Sequence, residues 1–217
     1  MVVVFLASMC ALAVRGVMNT NIAIAMGGGG LIVAGIGWAD DKHSLSPGLR
    51  FAVQVAAAIW ALYWLGGLPD LNIGVARIHL GPVGFVLAIV GIVWSINLYN
   101  FMDGIDGLAG SECLTTATLA FLLMWAMEDG RLPSAAATGA NMDTMSVALV
   151  TLLLVPIAAG FLVWNWAPAK IFMGDVGSGF LGFAFAVLAI ASENSHGLPL
   201  LVWVLLLGVF VVDATAT

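Results

Sequence analysis

The chain has 217 residues, 62% hydrophobic and only 8% charged, with a formal net charge of −6. An ordinary soluble domain is about one-quarter charged, so lipid rather than water is the main solvent of this sequence. Two cysteines inside apolar runs, Cys10 and Cys113, and 12 acidic against 6 basic residues argue against a disulfide scaffold, a basic nucleic-acid binder and a disordered tail.

The first apolar run, 1-15, has no basic leading region. Arg15, Gly16 and Val17 make no small-residue cleavage site, so it reads as a membrane helix rather than a leader. It is shorter than the roughly 20 residues that cross the hydrocarbon, which predicts a helix beginning upstream. The next run, 22-39, contains Gly27 to Gly30. Four glycines predict a flexible or closely packed helix start, and without a following Lys-Ser/Thr pair they make no phosphate-binding loop. Further runs follow at 51-66, 81-98, 108-127, 145-164, 178-192 and 198-212. The last two are short enough for one to be tilted, re-entrant or buried. The sequence therefore predicts an all-α fold, a polytopic transmembrane helical bundle of about eight segments forming a single domain over 1-217.

If each segment crosses once, loops 40-50, 99-107 and 165-177 and the tail from Asp213 share one side. Loops 16-21, 67-80, 128-144 and 193-197 lie opposite. Lys42, Arg50 and Lys170 on the first side balance Arg15, Arg77 and Arg131 on the other, so basic residues do not orient the bundle. The first side collects the polar motifs.

Adjacent carboxylates at Asp40 and Asp41 end the second run. Alone they would mark a solvated helix end; beside other acids they suit a divalent cation or a shared proton. Asn97, Asn100, Asp103 and Asp106 recur every three residues, so a helical or near-helical turn would place their oxygens on one face. Asn97 and Asn100 can serve an anion, and the aspartates a hard cation. Gly104 and Gly107 permit close backbone approach and leave N–H groups for phosphate oxygens. A plain helix cap is the competing reading, and four polar groups exceed what a cap needs.

The third motif runs from Pro168 to Gly179. Asp175 is a candidate metal ligand, Gly174 allows its backbone to meet a diphosphate, and Lys170 can neutralise the anion. A glycine-rich turn with a capping aspartate is the bland alternative. His43 stands beside Asp41 where it could touch substrate, but a lone loop histidine is more often solvated. His79 and His196 fall on the opposite side, so no zinc cluster emerges. Glu112, just inside the fifth run, faces either the active cavity or a wet helix end.

Taken together, Asp40 and Asp41, the block from Asn97 to Gly107 and the run from Lys170 to Ser178 resemble the polyprenyl-phosphate N-acetylhexosamine-1-phosphate transferase family, glycosyltransferase family 4. Their order and spacing cover most of the chain. The resemblance implies a bundle of about ten helices in the bacterial cytoplasmic membrane with cytoplasmic motif loops. It implies transfer of a sugar 1-phosphate from a nucleotide diphosphate sugar, such as a UDP-N-acetylhexosamine, to polyprenyl phosphate, with Mg2+ as cofactor. The partners are those two substrates and the lipid bilayer, with no nucleic acid, and a homodimer is compatible. By resemblance, Asp175 ligates Mg2+; Asp40 and Asp41 serve cation or acceptor chemistry; Asn97, Asp103 and Asp106 organise the nucleotide-sugar site, with Asn100 beside them.

The family's first polar loop and its terminal basic, histidine-bearing loop have no counterpart here, so the sequence is expected to be incomplete at both ends and inefficient alone. Direct displacement and an aspartyl-phosphate route both place acids near phosphorus; direct displacement needs no additional intermediate. A cation-coupled transporter would carry polar residues deep across the bundle, whereas here they cluster at helix ends. A different membrane phosphotransferase is the nearer alternative, although the 97-107 block lacks the Arg and downstream acidic pattern of CDP-alcohol transferases.

Overall fold

The computed structural model describes residues 1–132 and 142–216. In chain order the elements are α1 (Val2–Val14), α2 (Thr20–His43), α3 (Pro47–Leu65), a two-stranded ribbon of β1 (Asp70–Asn72) and β2 (Arg77–His79), α4 (Pro82–Met102), α5 (Leu108–Glu128), α6 (Met142–Asn165), α7 (Gly174–Asn194), α8 (Leu200–Leu206) and α9 (Gly208–Ala216). Six of these, α2 to α7, are long and apolar enough to cross a membrane. The expected all-α polytopic bundle is therefore present. Its eighth run, 198-212, is not one helix: it breaks at Leu207 between α8 and α9. The Leu206 carbonyl at the break accepts the Thr116 hydroxyl of α5 at 3.1 Å, which replaces a helical partner that lipid could not supply.

α7 is the axis of the bundle. Nearly every side chain from Gly177 to Glu193 is buried, and α2 and α4 pack along its two sides. The expectation that one of the last two runs is buried thus falls on α7. Small residues set these close approaches. The Ser95 hydroxyl of α4 donates to the Gly182 carbonyl of α7 at 2.8 Å. A methyl group on Gly37 of α2 would lie 2.6 Å from the Asp175 carbonyl oxygen.

The glycine run is not a helix start. Gly27 to Gly30 lie within α2, and side chains there would strike Trp60 at Gly28, Phe183 at Gly29 and Phe180 at Gly30. Of the two expectations, close packing holds: missing side chains on α2 make room for large rings on α3 and α7.

The ribbon pairs Asp70 with His79, Leu71 with Ile78 and Asn72 with Arg77 in antiparallel register. It interrupts an otherwise helical chain and was not evident from the apolar runs. Buried Glu193, near the end of α7, ties it down by accepting from the Asn72 N–H at 2.7 Å and the Leu200 N–H at 2.6 Å. A carboxylate that accepts two backbone donors satisfies groups that would otherwise be costly to bury.

Candidate active site

The last turns of α2 and α4 and the first turns of α3 and α7 converge on one face of the bundle. Asp40 lies in the last turn of α2, not in the expected loop, because the helix continues to His43 and stops only where Ser44 adopts φ 46°. Its carboxylate accepts the Leu45 N–H at 2.6 Å and the Arg50 guanidinium of α3 at 2.5 Å. The same guanidinium nitrogen is 3.8 Å from Asp175, in the first turn of α7. Asp175 also accepts from the Asn100 amide of α4 at 2.6 Å, and that amide donates in turn to the Ser178 hydroxyl at 3.2 Å. Asp41, exposed beside Asp40, accepts the Asp175 N–H at 3.2 Å. It caps the positive end of α7 from a different helix.

These groups border a pocket of about 340 Å³, open to solvent, between α2, α3, α4 and α7. Val33, Ile36 and Ile96 line it deeper, with Gln54 and Asn97 at mid-depth, where the Asn97 amide donates to the Gln54 side chain at 2.8 Å and to the Val93 carbonyl at 2.7 Å. Asn97 thus shapes the pocket through α3. Arg50 and Gln54 were not singled out from sequence. Their signal was available: a basic and an amide side chain four residues apart, on one face of an apolar span, are costly in lipid and so mark a wet interior face.

The block from Asn97 to Asp106 is not a single helical face. α4 ends at Met102, Asp103 sits at its C-cap, and Gly107 turns the chain with φ 75°. The Gly107 N–H is taken by the buried Asn165 side chain at 3.0 Å, so it is not available to a phosphate as expected. Asp106 lies apart from the carboxylate pair and accepts the Ala169 N–H at 2.9 Å. Its placement fastens the α4–α5 loop to the α6–α7 loop. Asp103 remains near the centre: burial, then the negative charge of Asp175, push its carboxyl up to about 6.

The other expected residues separate similarly. Gly174, with φ 64°, packs its backbone against Asp41; a methyl group there would lie 3.0 Å from Oδ2 of Asp41. Lys170 is exposed, with its ammonium 5.6 Å from the Trp164 ring rather than on a carboxylate. On the opposite face, His79 pairs with Asp70 and His196 with Arg77, and no zinc cluster forms among the described residues.

The donor chemistry suits a hard cation. Among the described residues no three acidic, histidine or cysteine side chains close into a ready-made metal cage. Mg2+ commonly takes only one or two carboxylates and completes its shell with phosphate oxygens and waters. Asp175, one-third exposed, with Asp40 behind it, meets that requirement. Arg50, within 4 Å of both carboxylates, offsets the repulsion between them.

Residues 23–193 match the family described as Glycosyl transferase family 4, a span that includes every motif at this face. The chain is 29% identical over 221 residues to the "Probable undecaprenyl-phosphate N-acetylglucosaminyl 1-phosphate transferase" of Bacillus subtilis (strain 168), covering 98% of this chain and 56% of that protein. It is 32% identical over 203 residues to the "Phospho-N-acetylmuramoyl-pentapeptide-transferase" of Mycobacterium bovis (strain BCG / Pasteur 1173P2), and 33% identical over 203 residues to the protein of that name from Mycobacterium leprae (strain TN). Both alignments cover 82% of this chain and 54% of the relative. The chain spans about half the length of the curated relatives it matches. With the family match running through Asp40, Asn100 and Asp175 on three helices that meet at one pocket, the chain belongs to glycosyl transferase family 4.

Proposed function

We propose that this chain carries the chemical centre of a Mg2+-dependent transferase that moves a sugar 1-phosphate from a nucleotide diphosphate sugar, such as a UDP-N-acetylhexosamine, to polyprenyl phosphate. The observation that carries the reading is the meeting of Asp40, Asp175, Asn100 and Arg50 at one end of the membrane-length helices. The relatives' names, which include an undecaprenyl-phosphate substrate, support the same reaction class. A long prenyl tail remains in lipid while its phosphate reaches helix ends, which is where these groups lie.

In this reading a phosphate oxygen of the lipid attacks the sugar-proximal phosphorus. A new P–O bond forms, and the bond to the departing nucleoside monophosphate breaks, its electrons leaving on oxygen. Asp175 would hold Mg2+, which when bound would supply charge neutralisation at the diphosphate and polarise the phosphorus. Asn100 fixes the Asp175 carboxylate, Asp41 fixes the backbone that bears it, and Asp40 holds Arg50 at the pocket mouth. Arg50 then presents a planar guanidinium to phosphate oxygens. Direct displacement is favoured because Asp40, the more enclosed carboxylate, is committed to Arg50 and Leu45 and is poorly placed as a nucleophile. The motif face is assigned to the cytoplasm, where nucleotide sugars are available.

The full-length protein in membranes should release a nucleoside monophosphate and form a lipid diphosphate sugar in equal amounts when Mg2+ and both substrates are present. Nucleotide release without lipid product, or lipid product unaffected by chelation, would refute the proposal.

A further inference from the structure

The half of the bundle away from the carboxylate centre contains an apolar cavity of about 790 Å³. Its walls are α4 between Leu87 and Ser95, α7 between Phe185 and Ile190, and α8. The ribbon lies over it, through Leu71 of β1 and the flanking Leu80. Small residues make the room: Gly91 on α4 faces Ala186 and Ala189 on α7 across the cavity, and nothing lies within 4 Å of a carbon added at Gly91.

The roof is fastened. The Asn72 N–H donates to Glu193 at 2.7 Å, the Arg77 guanidinium is bonded to His196 at 2.6 Å, and the Leu80 N–H returns to the Pro69 carbonyl at 2.8 Å. Strand alternation turns Leu71 to the cavity and its neighbours Asp70 and Asn72 to the other face of the ribbon. The mouth opens sideways. Leu87 and Trp94 of α4 and Val204 of α8 line the cavity and are also exposed on the outside of the bundle, so the opening continues the apolar surface formed by Val86, Val90 and Leu205. On helices of membrane length that surface faces lipid.

The lining decides what can enter. No charged side chain borders the cavity, and the Ser95 hydroxyl is spent on the Gly182 carbonyl. Water needs about two to four polar partners to stay in such a space. An extended polypeptide would bring backbone groups that this wall cannot pair. A void open to lipid, in turn, forfeits dispersion contacts along its wall. A hydrocarbon chain restores those contacts and leaves no polar group unsatisfied. We propose that this cavity holds one acyl chain of a bilayer glycerolipid, drawn from the leaflet on the ribbon side, with the ribbon as its roof. Lipid tails are as apolar as the cavity, so shape and contact rather than escape from water hold the chain there. The proposal does not depend on the transferase reading.

The test uses the full-length protein in bilayers of phosphatidylcholine, with a trace of the same lipid carrying a photoreactive diazirine in mid-chain. After irradiation, peptide mass spectrometry should find adducts at Phe185, Ala189 and Ile190 of α7, all buried from the surrounding bilayer, as well as at exposed Val86 of α4. Gly91→Phe grows a ring into the cavity; it should remove the α7 adducts and leave those at Val86 unchanged. Gly91→Leu serves if the larger variant does not fold. A small admixture of polyprenyl phosphate should leave the α7 adducts in place, and their selective loss would reassign the cavity to a prenyl tail and overturn the proposal. Absence of α7 adducts in the unaltered protein would mean that another segment or a second copy covers the cavity. Undiminished α7 adducts in a folded Gly91 variant would put the chain elsewhere. Either result overturns the proposal.

Discussion

At the scale of single residues, the active face separates two kinds of acid. Asp175 is one-third exposed and held by Asn100, whereas Asp106 is fixed to the Ala169 N–H and fastens two loops. For the proposed transfer, Asp175→Asn should therefore lower turnover by about 100-fold or more and weaken its response to Mg2+, the scale of losing one preorganised electrostatic contact. Asp106→Asn should act mainly through KM. Equal losses in kcat for the two variants would erase the distinction. Asp103 gives a pH prediction. Its carboxyl, raised from 3.8 to about 6, stays protonated in the fold over a range where the unfolded chain has already ionised. The fold consequently loses stability as pH rises from about 4 to about 6, and the full penalty persists above that. In metal-free buffer, Asp103→Asn should raise the melting temperature by about 2 °C at pH 7.5, with the gain vanishing near pH 4. A gain independent of pH would reject the assignment. Asp103 was legible as a site residue from its spacing; its protonation was not, because that depends first on burial in the folded bundle and then on the charge of Asp175, 72 positions onward in the chain.

Helices position the site by how closely they pass. Gly37 of α2 lies against the backbone of Asp175 and Val176, and an added side chain would meet the Asp175 carbonyl at 2.6 Å and the Val176 nitrogen at 2.8 Å. Gly37→Val should cost about 1–3 kcal/mol through overpacking and reduce activity further by displacing Asp175. Gly35→Ala is the matched control: nothing lies within 4 Å of its added carbon. Melting curves and turnover of the two variants should diverge, and a harmless Gly37→Val would mean that α2 and α7 are not fixed at this crossing. The helices themselves were largely readable as apolar runs. Their ends were harder, since α2 extends to His43 and α7 begins at Gly174, carrying Asp40, Asp41 and Asp175 on helical turns rather than in loops. Polar residues in a final turn look the same as loop residues when only hydropathy is read.

For the molecule as a whole, the alternation of crossings placed the three acidic motifs on one side, and the contacts of Asp175 with Arg50, Asn100 and Asp41 place them together. Single cysteines at Ser44, Ile105 and Phe172, all exposed, should react with a membrane-impermeant thiol reagent from the same side, with exposed Cys10 and buried Cys113 replaced. A cysteine at Val75, in the ribbon on the other face and 92% exposed, should react only from the opposite side. Reaction of the first three from different sides would dismantle the topology.

The sequence by itself determined the solvent, the helical class, the common side of the motifs and the family resemblance, because each follows from local composition, periodicity and spacing. Tertiary structure alone decided which motif residues meet. It brought Arg50 and Gln54 into the pocket, diverted Asp106 and the Gly107 N–H to loop bracing, and left Lys170 beside Trp164. It also broke the last run against Thr116 and tied the ribbon to Glu193. Spacing within one segment sets which side chains share a face. The partner across that face is set by the crossing of helices remote in sequence, whose close approach depends on where glycine and serine leave room for a neighbour.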